Sequence, residues 1–253
     1  MADRRSAVQS SAARVKAAIR QYGDQITKVA LPKALTRTAF DVRGALRDSL
    51  ASTFDRPTPY TLNSTYVQAA APSNPRAWVG FRENSGKGTP AARYLLPNVD
   101  GGGRRQKRAE VQLRNSGVMP PGRYAVPGEE AELDAYGNMK RGQLVKILSA
   151  VRAFGEQGYT ANRSRTAKSR GKRRHEGYFA APPGNRSGLP PGIYKRDAAD
   201  PRPVLLFVKA PSYRPRFRFH AIVERAVRER FPVRFAEALS QVQRRFAAAN
   251  GVR

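Results

Sequence analysis

Apolar positions recur every three or four residues between 24 and 54. Ile26, Val29, Ala30, Leu35, Ala39, Val42, Leu46, Leu50 and Phe54 share one stripe, with Lys33, Arg37, Arg47 and Asp48 largely off it. This spacing predicts an amphipathic helix. Pro32 lies inside the pattern, lacks a backbone donor and clashes with the preceding turn, so a kink or a fresh start is expected there. The same period returns over 219–249, through Phe219, Ile222, Val223, Ala226 and Val227, then Phe231, Phe235, Leu239, Val242 and Phe246. Pro232 predicts a second break and restart, and Asn250-Gly251 reads as the C-cap. Upstream of the first helix, residues 6–22 are Ala-rich and weakly amphipathic. Residues 1–23 read as a weakly ordered basic segment.

Between the two helices the texture changes. Two prolines in DRPTPY stop the first helix, because each pushes its predecessor towards an extended conformation. Short β-favouring stretches follow at 61–69 and 77–81, the latter holding the single tryptophan, Trp78. Residues 83–103 read as a loop with a small apolar patch at Tyr94, Leu95 and Leu96. A short basic helix is expected at 105–115, a loop at 120–138 and an amphipathic helix at 143–154. Stretches 178–181, 192–196 and 203–209 read as three strands joined by Gly/Pro turns, in antiparallel order. Together these elements predict an α+β fold: long N-terminal and C-terminal helices packed on a small, mainly antiparallel, short-stranded sheet with long Gly/Pro-rich loops. One domain over 24–249 is expected, with no internal repeat.

Residues 158–176 break the pattern. Arg163, Arg165, Lys168, Arg170, Lys172, Arg173 and Arg174 crowd this run, no acid precedes Glu176, and no apolar period exists to fold it. It reads as a mobile basic loop inserted within the domain. The bias is general: Lys+Arg 47 against Asp+Glu 19 gives +28, and 36 of the basic residues are Arg. Guanidinium forks suit phosphate, carboxylate and backbone carbonyl, although an Arg-rich coding bias explains the same excess. A chain this positive repels itself and collects polyanions, so a nucleic acid or an acidic protein ring is the expected neighbour.

Other chemistry is constrained by what the chain holds. No cysteine is present, which excludes disulfides, thiolate nucleophiles and thiolate-bound metal. With only His175 and His220, multi-histidine metal sites are excluded too. No apolar run reaches the ~20 residues needed to cross a bilayer, and the charged N-terminus does not resemble a secretory signal. No membrane partner and a cytoplasmic history are therefore expected. SGKGTP (85–90) and GGG (101–103) lack the phosphate-loop spacing and read as flexible loops. His175 sits among arginines and reads as solvated or phosphate-contacting, and His220 reads as structural.

Glu129, Glu130, Glu132 and Asp134 form the one acidic cluster. It lacks the alternation and glycine of a calcium loop, and reads as a solvated loop pairing with the Arg of a neighbouring copy. A hydrolase would have to use Asp134 with Glu130, so no enzyme activity, cofactor or metal is expected. In YRPRFRFH (213–220), Arg214, Arg216 and Arg218 alternate with aromatics. The aromatics either stack on bases while the arginines hold phosphates, or enter a core while the arginines face outward; the sequence leaves both open.

Several stretches read together resemble a known family: ALTRTAFDVRGALRDSL (34–50), FDRPTPYTLNSTYVQAA (54–70), YLLPNVDGGGRRQKRAEVQLR (94–114), YAVPGEEAELDAYGN (124–138) and PSYRPRFRFHAIVERAVRERFPVRFAEAL (211–239). In type and order they look like the minor tail protein Z family, the tail-completion proteins of long-tailed bacteriophages. PTPYTLN and LDAYGN are the more specific stretches, and the likeness spans roughly residues 30–245. It implies a structural virion protein, assembled in the host cytoplasm, that completes the tail at the neck and makes it competent for head–tail joining. Implied partners are the tail terminator ring, head-side connector proteins, further copies in a ring of six, and genomic DNA in the lumen. The contacting residues would be Arg163, Arg165, Lys168, Arg170, Lys172, Arg173, Arg174, Arg214, Arg216 and Arg218. The alternative is a free-standing Arg-rich nucleic-acid-binding protein using the same residues.

Overall fold

The computed structural model describes residues 17, 20–84, 88–153, 177–196 and 200–249. A π-helical turn, Ile26–Ala30, leads into α1 (Leu31–Thr53), followed by α2 (Pro59–Leu62), β1 (Thr65–Gln68) and β2 (Trp78–Phe81). Next come α3 (Ala92–Asp100), β3 (Gly102–Gly103), α4 (Arg108–Asn115), β4 (Tyr124–Pro127) and α5 (Arg141–Ala150). The chain ends with β5 (Tyr178–Ala181), β6 (Gly192–Lys195), β7 (Arg202–Val208), β8 (Ser212–Tyr213) and α6 (Phe219–Ala249). The fold is α+β, with long helices towards both ends and small antiparallel sheets of two to four strands. The basic run 158–176, with His175, lies outside the described residues, as do most of 1–23 and Asn250-Gly251.

Where sequence suggests one domain over 24–249, the chain gathers into two compact units, Met1–Asn84 with Arg216–Arg253, and Ser85–Pro215. In the first unit the two long helices pack directly on each other. Their cross-links pair Lys33 with Gln241, Arg37 with Glu237 and Asp41 with Arg234, so the helices run antiparallel. Ala30, Ala34, Ala238 and Val242 fill the seam, flanked by Val29, Phe231 and Phe235, and their small side chains suit a close approach of the two backbones. Val42, Leu46 and Leu50 continue the buried stripe of α1, which also packs on the hairpin β1–β2. Beside it, Phe54, Phe81, Phe217 and Phe219 form an aromatic group with ring centroids 5.1–6.4 Å apart.

The two helical prolines are accommodated differently. At Pro32 there is no fresh start, because Gln25, Ala30 and Leu31 all keep right-handed helical backbone angles. Leu31 N–H bonds to the carbonyl of Ile26, and this wider turn relieves the crowding a proline brings to its preceding turn. At Pro232 the expected break is absent, and α6 runs on to Ala249. Pro232 and Arg228 are both exposed, so the carbonyl that loses its partner is left to water and the helix tolerates the defect.

The second unit is built on the four-stranded antiparallel sheet β4-β7-β6-β5. Buried Val204, Leu205 and Phe207 of β7 and Ile193 of β6 meet Leu113 of α4 and Ile147 and Leu148 of α5 in one core. Within the first unit the long helices pack on β1–β2, and within the second the four-stranded sheet packs against short helices. Pro203 lies opposite Tyr194 where the register shifts, a position at which a strand tolerates a residue without an N–H. Gly192 opposes Leu206 so closely that a Cβ there would collide with the Leu205 carbonyl oxygen.

Two expected loops are ordered elements. Residues 92–100 form α3 despite Pro97, with Ala92 and Leu95 buried and the Asn98 side chain donating to the Tyr94 carbonyl at 2.7 Å. Gly101, at φ 82°, ends that helix, and a Cβ there would lie 3.2 Å from the Pro215 ring. Gly102 and Gly103 then pair with Tyr213 and Ser212 instead of forming a flexible loop. Within 120–138, β4 pairs with β7 along Tyr124–Pro127.

Candidate interaction surfaces

The turn PTPYTLN is folded by its own polar groups. Thr58 caps α2 by accepting from Thr61 N–H at 3.1 Å, and the Asn63 side chain donates to the Pro59 carbonyl at 2.9 Å. LDAYGN is built the same way. Asp134 accepts from the N–H groups of Tyr136 and Asn138, both at 2.9 Å, and Leu133 bridges to Met139. Each turn presents its tyrosine outward: Tyr60 is 44% exposed and Tyr136 41%.

The acidic cluster beside the second turn is already engaged within the chain. Glu130 pairs with Lys195 at 3.5 Å and Arg202 at 3.2 Å, and Glu132 lies 4.0 Å from Lys140. Buried Gln143 pins the loop from beneath, donating to the Glu130 carbonyl and accepting from Glu132 N–H. Glu130 and Glu132 therefore already have basic partners in their own unit. Among the described residues no group of three or more His, Asp or Glu is placed to hold a metal ion, and no helix is long and apolar enough to cross a membrane.

Of the expected contact residues, Arg163, Arg165, Lys168, Arg170, Lys172, Arg173 and Arg174 fall outside the described residues. Arg214 is exposed at the end of the second unit, and Arg216 and Arg218 are exposed where the first unit resumes. Phe217 between them is only 1% exposed and packs among Phe54, Phe81 and Phe219. This decides between the two readings of YRPRFRFH: its phenylalanines belong to the core, and its arginines face out. The Arg216 guanidinium covers the Phe54 ring at 4.6 Å. His220 is exposed, its ring edge-on to Phe219 at 5.5 Å.

Sequence reasoning missed a buried charge that organises the second unit. Glu110 is 1% exposed and accepts four hydrogen bonds. Two come from Arg104, at 2.7 and 2.5 Å, one from Lys107 N–H at 2.5 Å and one from Ala125 N–H at 2.9 Å. Arg104 in turn stacks over Tyr124 at 4.7 Å, whose hydroxyl donates to the Arg104 carbonyl. Burial pushes the Glu110 carboxyl pKa up, but the Arg104 fork and the two backbone donors outweigh it and hold the pKa below its ordinary value. The one signal available was Glu110 at the third helical position, where a carboxylate reaches back to the N-cap amide.

A second omission is the outer face of β1–β2. The alternation in TYVQ and WVGF puts Tyr66 and Gln68 on the same side as Trp78 and Gly80. Thr65 and Phe81 are buried on the opposite side. Sequence singled out Trp78 but gave it no role. The chain matches no family model, no curated protein and no solved structure.

Proposed function

We propose that this protein is a structural component of a tailed-phage virion, completing the tail at the neck and making it competent to join a head. The observation that carries the reading is the construction of the two turns through which the sequence resembles the minor tail protein Z family. Both fold without their tyrosines, which leaves Tyr60 and Tyr136 available as contacts, and tyrosine is a residue type enriched at protein interfaces. The net charge of +28 and the exposed Arg214, Arg216 and Arg218 suit acidic neighbours in an assembly, including DNA in a tail lumen.

In this reading the partners are the tail terminator ring, head-side connector proteins and further copies of the chain in a ring of six. The protein acts by binding, with no reaction of its own. The test is to purify tails from a lysate of the phage and locate the protein by immunolabelling and mass spectrometry. It is expected at one end of the tail only, and tails lacking it are expected to fail at head joining until the purified protein is added. Label along the whole tube, or particles that join normally without the protein, would overturn the assignment.

A further inference from the structure

The outer face of β1–β2 has no role in the tail-completion reading and does not depend on it. Trp78 is 57% exposed and Tyr66 42%, while the neighbouring positions on that face are Gln68 and Gly80. Tyr66 does not project freely. Its ring lies across Gly80, where a Cβ would sit only 3.2 Å from Cε1. The ring thus rests against the sheet at Gly80 while 42% of the residue stays exposed. Arg82 N–H bonds to the Ser64 carbonyl, extending the ladder by one residue, and the alternation carries Arg82 to the same side as Gly80. Beside it Tyr66, Arg82, Glu83 and Asn84 line an open hollow of about 300 Å³, at the lower end of the range for small-ligand sites.

The geometry points to this face as a binding site for single-stranded nucleic acid, with bases on Tyr66 and Trp78 and a backbone phosphate at Arg82. Exposed aromatic rings beside basic side chains are the parts such binding needs. Stacking uses the π-face every base has, and guanidinium groups neutralise the backbone. Charge complementarity favours this occupant: Arg82 is exposed beside Tyr66, with Glu83 next to it, and exposed Arg76 precedes Trp78 by two residues in a chain of +28. A protein hot spot would instead be expected to set its aromatics in a desolvated apolar cluster, and Gln68, Gly80 and Arg82 do not provide one. Duplex DNA fits poorly, because its bases are already stacked on one another.

Trp78 is the only tryptophan in the chain and so reports on its own face. The full-length protein is titrated with a dT oligomer of about 16 nucleotides, the upper end of the site sizes of single-strand binders. A mixed-sequence duplex and heparin, a polyanion without bases, are run alongside. The oligomer is expected to quench Trp78 fluorescence, and heparin to bind without quenching. Tyr66→Ala is expected to weaken oligomer binding about tenfold while leaving heparin binding unchanged. Should that variant lose its fold, Tyr66→Phe must bind as the parent does, and Arg82→Gln must flatten the log–log salt slope by about 0.7. An identical Trp78 response to oligomer and heparin, or equal loss of both in Tyr66→Ala, overturns the inference. So does a Trp78 response that occurs only on entry into a protein assembly, which would make the face a protein contact.

Discussion

Arg234 forks onto Asp41, Nε reaching one carboxylate oxygen at 2.7 Å and Nη2 the other at 2.9 Å, so that α6 and α1 are joined by a bidentate pair. The same guanidinium reaches Glu237 one turn on, at 3.1 Å, and Glu237 also pairs with Arg37 of α1. The result is a small charge network along one flank of the seam. Its planar geometry matters, because lysine offers a point charge and cannot reproduce the fork. Replacing Arg234 by Ala or by Lys is expected to lower the thermal unfolding midpoint in both cases, with Lys recovering only part of the loss. A Lys variant that melts with the parent, followed by circular dichroism, would show the fork to be dispensable.

The pH response of this network follows from Asp41. Its hydrogen bonds with Arg234 hold the carboxyl pKa below the ordinary value, against the opposing effect of burial. A carboxylate depressed in the folded state binds its proton more readily when unfolded, so its contribution is complete above the unfolded pKa of about 3.9. That contribution fades as pH falls through the folded value. Acid titration of the parent and of Asp41→Asn should therefore give stability curves that separate above about pH 4 and converge below it.

Glu110 predicts a larger effect in the second unit. Its side chain and that of Arg104 are 2% and 11% exposed, so removing one partner leaves the other charge buried and unpaired. Glu110→Ala is expected to cost about 3–5 kcal/mol in denaturant unfolding. Replacing both members by apolar residues, Arg104→Met with Glu110→Leu, should recover much of that loss, since the second charge no longer needs a partner. Equal losses in the single and double variants would show that the backbone donors from Lys107 and Ala125, not the ion pair, hold the segment in place.

Two glycines give opposite predictions from one substitution. Gly44 is exposed on α1, and nothing lies within 4 Å of the place a Cβ would take. Gly44→Ala should therefore stabilise by about 0.5–1 kcal/mol through helix propensity. Gly192→Ala would force a methyl against the Leu205 carbonyl in the middle of the sheet, and β6 would have to move away from β7. That strain is expected to cost at least about 1–3 kcal/mol, on the scale of an overpacked core. Chemical denaturation of the two variants side by side measures the contrast, and a neutral Gly192→Ala would argue against the close strand approach.

The features legible in sequence were those repeated along it. The stripe of α1 is read from nine apolar positions, and the run PVLLFVK announces β7 because consecutive residues on both faces of that strand, Val204 and Leu205, are buried. Elements that owe their structure to partners elsewhere were not legible. Four-residue β4 exists by pairing with β7, and α3 contains a proline that argues for a loop until Leu95 is seen to be buried. Glu110 sits in RAEVQLRN, which reads as part of a short basic helix. Its burial depends on Arg104 six positions earlier and on an amide fifteen positions later. The aromatic face of β1–β2 was written in the alternation of TYVQ and WVGF, but the pairing that sets Tyr66 across Gly80 is not local.

The tail-completion reading makes its sharpest demand on Tyr60 and Tyr136. Both turns are closed by Thr58, Asn63 and Asp134, so replacing the tyrosines removes exposed rings without removing a hydrogen bond that shapes either turn. Tyr60→Ser and Tyr136→Ser are each expected to leave stability within about 0.5 kcal/mol of the parent, as for ordinary surface changes. The double variant is nevertheless expected to fail in restoring head joining to tails made without the protein. Thr58→Ala supplies the converse: it removes a cap worth about 1 kcal/mol but keeps both rings, so joining should persist wherever the protein stays folded. If the tyrosine variants restore joining as well as the parent, these turns are structural features only, and the contacts with the terminator ring and connector must be sought on other surfaces.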